Sequence, residues 1–177
     1  MSTVPKLTFV IGGARSGKSR YGESVIATLP PPWQPPWTYV ATAEALDAEM
    51  AERIAAHRAR RGSNWRTIEA PRDLAAPLRQ CTTTPVLVDC LTLWLSNHLL
   101  ADADIDLEMA RLEDALAAAK TPIVLIANEV GSGIVPDHAL GRKFRDLQGV
   151  LNQRMAAHAD RVVLVVAGLP LALKGSL

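Results

Sequence analysis

Gly12-Gly13-Ala14-Arg15-Ser16-Gly17-Lys18-Ser19 has the spacing G-x-x-x-x-G-K-[ST], and the chemistry of that pattern is phosphate binding. Its glycines let the backbone approach anionic oxygens closely, so that successive N–H groups converge on them where a helix begins. Lys18 would bring a point charge to the β- and γ-phosphates, and the Ser19 hydroxyl could ligate Mg²⁺. The context fits as well: an apolar run over Leu7 to Ile11 precedes the loop and a helical pattern starts inside it. That context separates the motif from a glycine-rich turn that binds nothing.

Phosphoryl chemistry on such a loop asks for a carboxylate at the end of a neighbouring strand, and Asp89 closes the run Pro85-Val86-Leu87-Val88-Asp89. The same residue could instead cap the helix that starts at Leu91. His57 is a second candidate. On a helix over Ala45 to Arg61 it falls beside Met50 and Ile54 on one side and Arg53 and Arg60 on the other, at an apolar/cationic boundary. Arginines there would attract phosphate and disfavour protonation of the ring, which suits a nucleophile that attacks the α-phosphate. An ordinary boundary histidine has the same spacing. Arg58, Arg60 and Arg61 read equally as a solvated helix face or as a clamp on a triphosphate. Glu69, at the end of a short extended stretch after Trp65, is either a surface carboxylate or an acceptor for a base or ribose. Asn128 and Glu129 open a glycine-containing loop at the end of the run Ile123 to Ala127, where they could orient a hydroxyl or a metal-bound water, or simply form a turn before a helix cap. In the helix that follows, Arg142, Lys143, Arg145, Asn152, Gln153 and Arg154 suit either an acidic-substrate site or a polar outer face.

These residues need a scaffold, and the pattern describes one. Strand-sized runs of Val, Ile and Leu occur at Leu7 to Ile11, Thr38 to Ala41, Val86 to Asp89, Ile123 to Ala127 and Val162 to Ala167. Their near-continuous apolarity suits strands covered on both faces. Helical patterns alternate with them over Lys18 to Thr28, Ala45 to Arg61, Leu91 to Leu100, Leu107 to Ala119 and His138 to Ala159. Alternation of this kind predicts an α/β fold with a mostly parallel sheet. The patch from Pro30 to Trp37 is expected to be a stiff surface connection, because proline lacks a donor and fixes φ; the tail from Pro170 carries no assignment.

The 177 residues suit one domain over 1–177. Nineteen basic and 18 acidic residues leave a net charge of +1, which argues against a nucleic-acid partner. No apolar run approaches the roughly 20 residues of a membrane span, and the start lacks a leader pattern, as expected of a cytoplasmic protein. Cys81 and Cys90 read as a reduced, buried pair of thiols without a chemical role.

Taken together, several segments resemble the bifunctional adenosylcobinamide kinase/adenosylcobinamide-phosphate guanylyltransferases of cobalamin biosynthesis. They are the loop at 12–19, Ala41-Thr42-Ala43, Asp47-Ala48-Glu49-Met50 leading to Arg53-Ile54 and His57, and Val88-Asp89-Cys90-Leu91-Thr92. Asn128-Glu129-Val130-Gly131, Gly133-Ile134-Val135-Pro136, Phe144-Arg145-Asp146, Asn152-Gln153 and Val165-Val166-Ala167-Gly168 extend the likeness over nearly the whole chain. The resemblance implies a RecA-like P-loop fold and two reactions. ATP or GTP phosphorylates adenosylcobinamide, and GTP then yields a GMP-histidine at His57 from which GMP passes to the phosphorylated corrinoid. It also implies guanine-nucleotide contacts from residues 12–19, from Ala41, Thr42 and Ala43, from Arg58, Ala59, Arg60 and Arg61, and from Glu69 and Asp89; Mg²⁺ at Ser19 and Asp89 is expected from the loop chemistry. Family members form trimers, so a homotrimer is expected. The patch at 30–37 has no counterpart in the family pattern. Rival readings are a simple P-loop kinase for a small molecule, with His57 structural, and a GTP-dependent switch. Against the switch, the chain has no Asn-Lys-x-Asp motif.

Overall fold

The computed structural model describes residues 4–45 and 47–177; the side chains of Arg53 and Arg60 lie outside the described residues. Strands β1 (Leu7–Gly12), β2 (Trp37–Ala41), β3 (Trp65–Glu69), β4 (Val86–Asp89), β5 (Ile123–Asn128), β6 (Arg161–Val166) and β7 (Leu169–Lys174) form one sheet in the order β3-β2-β4-β5-β1-β6-β7. All pairings among β1 to β6 are parallel, and β7 returns antiparallel to β6. Helices α1 (Lys18–Ala27), α2 (Ala48–Arg61), α3 (Ala75–Gln80), α4 (Leu91–Leu100), α5 (Ile105–Ala118) and α6 (Ala139–His158) accompany it. The mostly parallel α/β sheet expected from the alternation of patterns is thus the observed one.

Side chains alternate across a strand, and here both faces are buried. Phe9, Val40, Val88 and Leu125 join one core with residues of α3, α4, α5 and α6. Val10, Tyr39, Leu87, Val124 and Ile126 join a second core with Ile26 of α1. Gly22 lets α1 settle close to that face: a Cβ there would lie 3.0 Å from the Ile126 methyl. Leu91 to Leu100 is the helix the pattern predicts, and its Leu91, Trp94, Leu95 and His98 are buried.

Elsewhere the ends move by a few residues because caps decide them. Asp47 accepts from Met50 N at 2.7 Å, so α2 begins at Ala48 rather than Ala45. Asp104 accepts from Leu107 N at 3.1 Å and starts α5 two residues earlier than its apolar pattern suggests. His138 Nδ1 accepts from Gly141 N at 2.9 Å, placing His138 ahead of α6 as its cap. Each cap satisfies an N–H that the helix leaves unpaired.

Three departures are larger. Trp37 belongs to β2 and is buried, with its ring centroid 5.3 Å from that of Trp65, so the Pro/Trp patch is a surface connection only up to Pro36. The unassigned tail forms β7, where Pro170 is tolerated because an edge strand has one side free of pairing. Asp89 does not end a strand adjacent to β1, since β5 lies between β4 and β1. The cysteines are free thiols, but only Cys90 is buried; Cys81 is half-buried. No helix among the described residues is long and apolar enough to cross a membrane.

Ion pairs tie the last helix to α5, the tightest of them between Arg154 and Glu113. Arg154 Nε and Nη2 donate to Glu113 Oε1 and Oε2 at 2.7 and 2.6 Å, and this hydrogen bonding holds the Glu113 carboxyl below its ordinary range. A carboxyl lowered on folding contributes stability above its unfolded value, and that stability is lost as pH falls through the folded one. The stability difference between the wild type and Glu113→Gln should therefore narrow as pH falls below about 5, measured as the gap between their thermal midpoints across an acid series.

Candidate active site

The loop after β1 is shaped by what it cannot hold. A Cβ on Gly12 would come within 2.4 Å of Val165 O and 2.6 Å of Ser16 Oγ. Gly17 has φ of 97°, and a Cβ there would approach Gly168 Cα to 3.2 Å. Glycine is the residue that accepts both conditions. The β6–β7 turn braces the loop through Gly168 N, which donates to Ser16 O at 2.8 Å. Lys18 opens α1, is 8% exposed, and donates from Nζ to Gly13 O at 2.9 Å, so its ammonium folds back across the loop. Ser16 Oγ is buried without a hydrogen-bond partner among the described residues. Buried hydroxyls are rarely left so, and a phosphate oxygen in the loop would supply the partner.

Lys18, Ser19, His57, Arg61, Asp89 and Asn128 line one cavity at the carboxyl ends of the strands. A second cleft, also lined by Lys18 and His57, opens on the loop side toward Arg15, Ser16 and Gly168. Helix α2 closes over the first cavity with a single stripe: among its described side chains Met50, Ile54, His57 and Arg61 are half-buried and the rest are exposed. That spacing is one helix face. Met50 and Ile54 give the cavity an apolar wall, and His57 and Arg61 give it polar tips.

Asp89 is not a helix cap. Cys90 occupies the N-cap position of α4 without a side-chain bond, while Asp89 Oδ2 accepts from Tyr39 OH at 2.8 Å. Burial, reinforced by the Asp89 charge, pushes the Tyr39 phenol far above its ordinary value, so it stays a neutral donor. The Arg61 guanidinium carbon stands 3.4 Å from the Tyr39 ring centroid, a cation–π contact. Tyr39 therefore joins the helix that carries His57 to the carboxylate at the cavity floor. Burial and the Asp89 charge also push the Cys90 thiol up to about 11, which keeps it protonated and unreactive near neutral pH.

The remaining candidates divide. Ala41 and Ala43 line the cavity. Thr42 between them is buried and turned inward, with Oγ1 donating to Cys90 O at 2.7 Å and accepting from Cys90 N at 2.8 Å. Arg58 and Glu69 pair with each other at 2.8 Å, both exposed and outside the cavity, and a pair of that kind is worth about 0.2–1 kcal/mol. Ala59 is exposed, and the Arg60 side chain lies outside the described residues. Gly13, Ala14 and Arg15 are exposed on the loop. Glu129 spends Oε1 on Gly131 N, at 2.6 Å, and is not among the cavity-lining residues.

Nor do the polar residues of α6 converge on a site. Arg142 donates to Pro136 O and Asp137 O, Arg154 holds Glu113, and Asn152 is buried against Asn128 O. Sequence reasoning missed Tyr39. Its signal was a lone phenol in an apolar strand, two residues before the end that pairs with Asp89.

The sequence pattern of the cobinamide kinase / cobinamide phosphate guanyltransferase family matches residues 8–173. The bifunctional adenosylcobalamin biosynthesis protein CobP of Pseudomonas aeruginosa is 46% identical over 170 residues, covering 94% of this chain and 96% of its own. The corresponding CobU proteins of Salmonella typhimurium and Escherichia coli are each 38% identical, covering 95% of this chain and 99% of theirs. Among solved structures, an ATPase from the type III secretion system of pathogenic bacteria superposes with a TM-score of 0.53 at 13% identity, over 94% of this chain and 56% of the ATPase. That likeness concerns the fold alone.

Thr42→Val should strand the buried Cys90 N–H, at about 1–3 kcal/mol, while Cys90 O keeps its bond from Trp94 N at 3.2 Å; Thr42→Ser keeps both hydroxyl bonds. Urea denaturation checks this: the midpoint should fall for valine, with an unchanged slope, and stay near the wild type for serine.

Proposed function

The chain belongs to the cobinamide kinase / cobinamide phosphate guanyltransferase family, and on that premise we propose that one triphosphate cavity performs both transfers, with His57 as the guanylylated nucleophile. The observation that carries the reading is that His57 and the phosphate-loop residues Lys18 and Ser19 line the same cavity. Residues 1–177 act as one catalytic unit, as a homotrimer in the cytoplasm.

In the kinase step the loop N–H groups and Lys18 hold the β- and γ-phosphates of ATP or GTP. The γ-phosphoryl group passes to the aminopropanol hydroxyl of adenosylcobinamide, with Asn128 beside the reacting group. Lys18, Ser19 and Asp89 share the cavity. Among the described residues no three His, Cys, Asp or Glu side chains are grouped to hold a metal. One hydroxyl and one carboxylate fit a Mg²⁺ that completes its shell with phosphate oxygens and water. Ser19 and Asp89 would hold it, and when bound it neutralises charge on the β- and γ-oxygens.

In the second step a ring nitrogen of His57 bonds to the α-phosphorus of GTP as the α–β phosphoanhydride breaks, and pyrophosphate leaves. The phosphate of adenosylcobinamide phosphate then attacks the same phosphorus, the N–P bond breaks, and adenosylcobinamide-GDP forms with His57 regenerated. The apolar wall of Met50 and Ile54 limits water at the phosphoramidate, which would otherwise hydrolyse. Arg61, held on Tyr39, puts a cation beside the histidine. Arg58, Ala59, Arg60 and Glu69 are kept as nucleotide contacts that require α2 and the end of β3 to reorganise, because Arg58 and Glu69 are paired with one another.

Incubation with α-labelled GTP should give an acid-labile, alkali-stable protein adduct in the wild type and none in His57→Ala, while His57→Ala still phosphorylates adenosylcobinamide. Lys18→Ala should lose both transfers. A wild type that phosphorylates the corrinoid without ever forming the adduct would identify a simple kinase.

A further inference from the structure

We propose that Thr92, Asn152 and Gln148 are positioning residues that fix Asn128 for γ-phosphoryl transfer, so that they govern the kinase step without touching the nucleotide. The inference rests on the two-reaction reading above. Asn128 ends β5, the strand between β1 with its phosphate loop and β4 with Asp89, and it pairs in register with Gly12. It lines the cavity together with Lys18 and Asp89.

Its main chain is gripped from two helices. Asn128 N donates to Thr92 Oγ1 of α4 at 2.7 Å. Asn128 O accepts from Asn152 Nδ2 of α6 at 3.1 Å. Asn152 is in turn oriented by Gln148, one helical turn earlier, whose Nε2 donates to Asn152 Oδ1 at 2.8 Å. Thr92, Gln148 and Asn152 are all buried, at 6%, 0% and 8% exposure. Gln148 Oε1 has no partner among the described residues. Buried polar groups weaken a core unless they are hydrogen-bonded; here the Thr92 and Asn152 bonds end on the backbone of one cavity residue, and the Gln148 bond orients Asn152.

The side-chain amide of Asn128, by contrast, makes no hydrogen bond to any described residue. With both backbone groups fixed, that amide is aimed by the network and left for a ligand. An amide can donate to a γ-phosphate oxygen and accept from an incoming hydroxyl without taking up a proton. His57 enters the cavity from α2, on which the network does not act. The two transfers therefore depend on the network unequally: a small displacement of Asn128 spoils alignment at the γ-phosphorus, while attack on the α-phosphorus keeps its nucleophile.

The experiment measures both transfers in the same preparations. Thr92→Val and Asn152→Ala should lower kcat for phosphorylation of adenosylcobinamide by about 10- to 100-fold, with little change in nucleotide KM. The rate of adduct formation from α-labelled GTP should stay within about threefold. Thr92→Ser, which retains the hydroxyl, should restore the kinase. Asn152→Ala added to Asn128→Ala should cost nothing further, since it acts through that residue. Equal losses in both transfers, an unaffected kinase, or full additivity with Asn128→Ala would overturn the assignment. Should Asn152→Ala fail to fold, the contrast of Thr92→Val with Thr92→Ser decides alone. A wild type that performs neither transfer counts against the two-reaction reading itself and takes this inference with it.

Discussion

Parallel pairing from β1 to β6 is the constraint on which the site depends. Parallel strands all end at the same edge of a sheet, and each crossover must travel back along a face before the next strand can begin. Residues far apart in the chain thereby become neighbours: Gly12 sits in register with Asn128, and Ala41 with Asp89. The same geometry removes the choice of which residues face the ligand. Residues at the strand ends, such as Ala41, Asp89 and Asn128, are thereby gathered at the cavity.

That edge is also where the sheet stops satisfying its own backbone groups. Beyond the last ladder bond each N–H and C=O needs another partner, and here short polar side chains supply it. Thr42 serves both groups of Cys90, Thr92 and Asn152 serve Asn128, and Asn97 donates to Thr42 O and Pro71 O at 2.9 Å each. The polar residues buried near the cavity thus divide into those that hold the frame and those left to meet a ligand. Ser16 Oγ and the Asn128 amide belong to the second group. Tyr39 stands between them, since it is buried with the frame and bonded to a carboxylate that faces the cavity.

Helix α2 follows a different logic. Among its described side chains Met50, Ile54, His57 and Arg61 form one half-buried stripe, and the others are exposed. Its polar attachments include the Arg61–Tyr39 contact and the exposed Arg58–Glu69 pair. An element whose described side chains are mostly exposed is suited to change position relative to the sheet beneath it.

The sequence was most informative where one residue type answers one local demand. Gly12, Gly17, Lys18 and Ser19 declare a phosphate loop because backbone approach, charge and hydroxyl are local needs. The buried strands declare themselves because both faces of a parallel sheet are covered, and Leu91 to Leu100 appears with its own ends for the same reason. Strand β3, helix α3 and strand β7 were faint: β3 and β7 lie at the sheet's two margins, so neither repeats the continuous apolar run. Helix α3 contains Pro77 and is held by Leu74 and Leu78 in the core rather than by its own propensity.

Side-chain roles at the site were a tertiary matter. Asp89 could be read as a cap or a ligand and Glu69 as surface or acceptor, Thr42 was expected only as a nucleotide contact, and identity alone does not separate such roles. The fold does so by where each atom's partner lies: Asp89 meets Tyr39, Glu69 meets Arg58, and Thr42 meets Cys90. The sequence by itself determined the phosphate loop, the parallel α/β plan and the family, because those rest on spacing along the chain. Only the tertiary structure decided which polar residues brace the strand ends and which are left open to a ligand, because hydrogen-bond partners are matched across space.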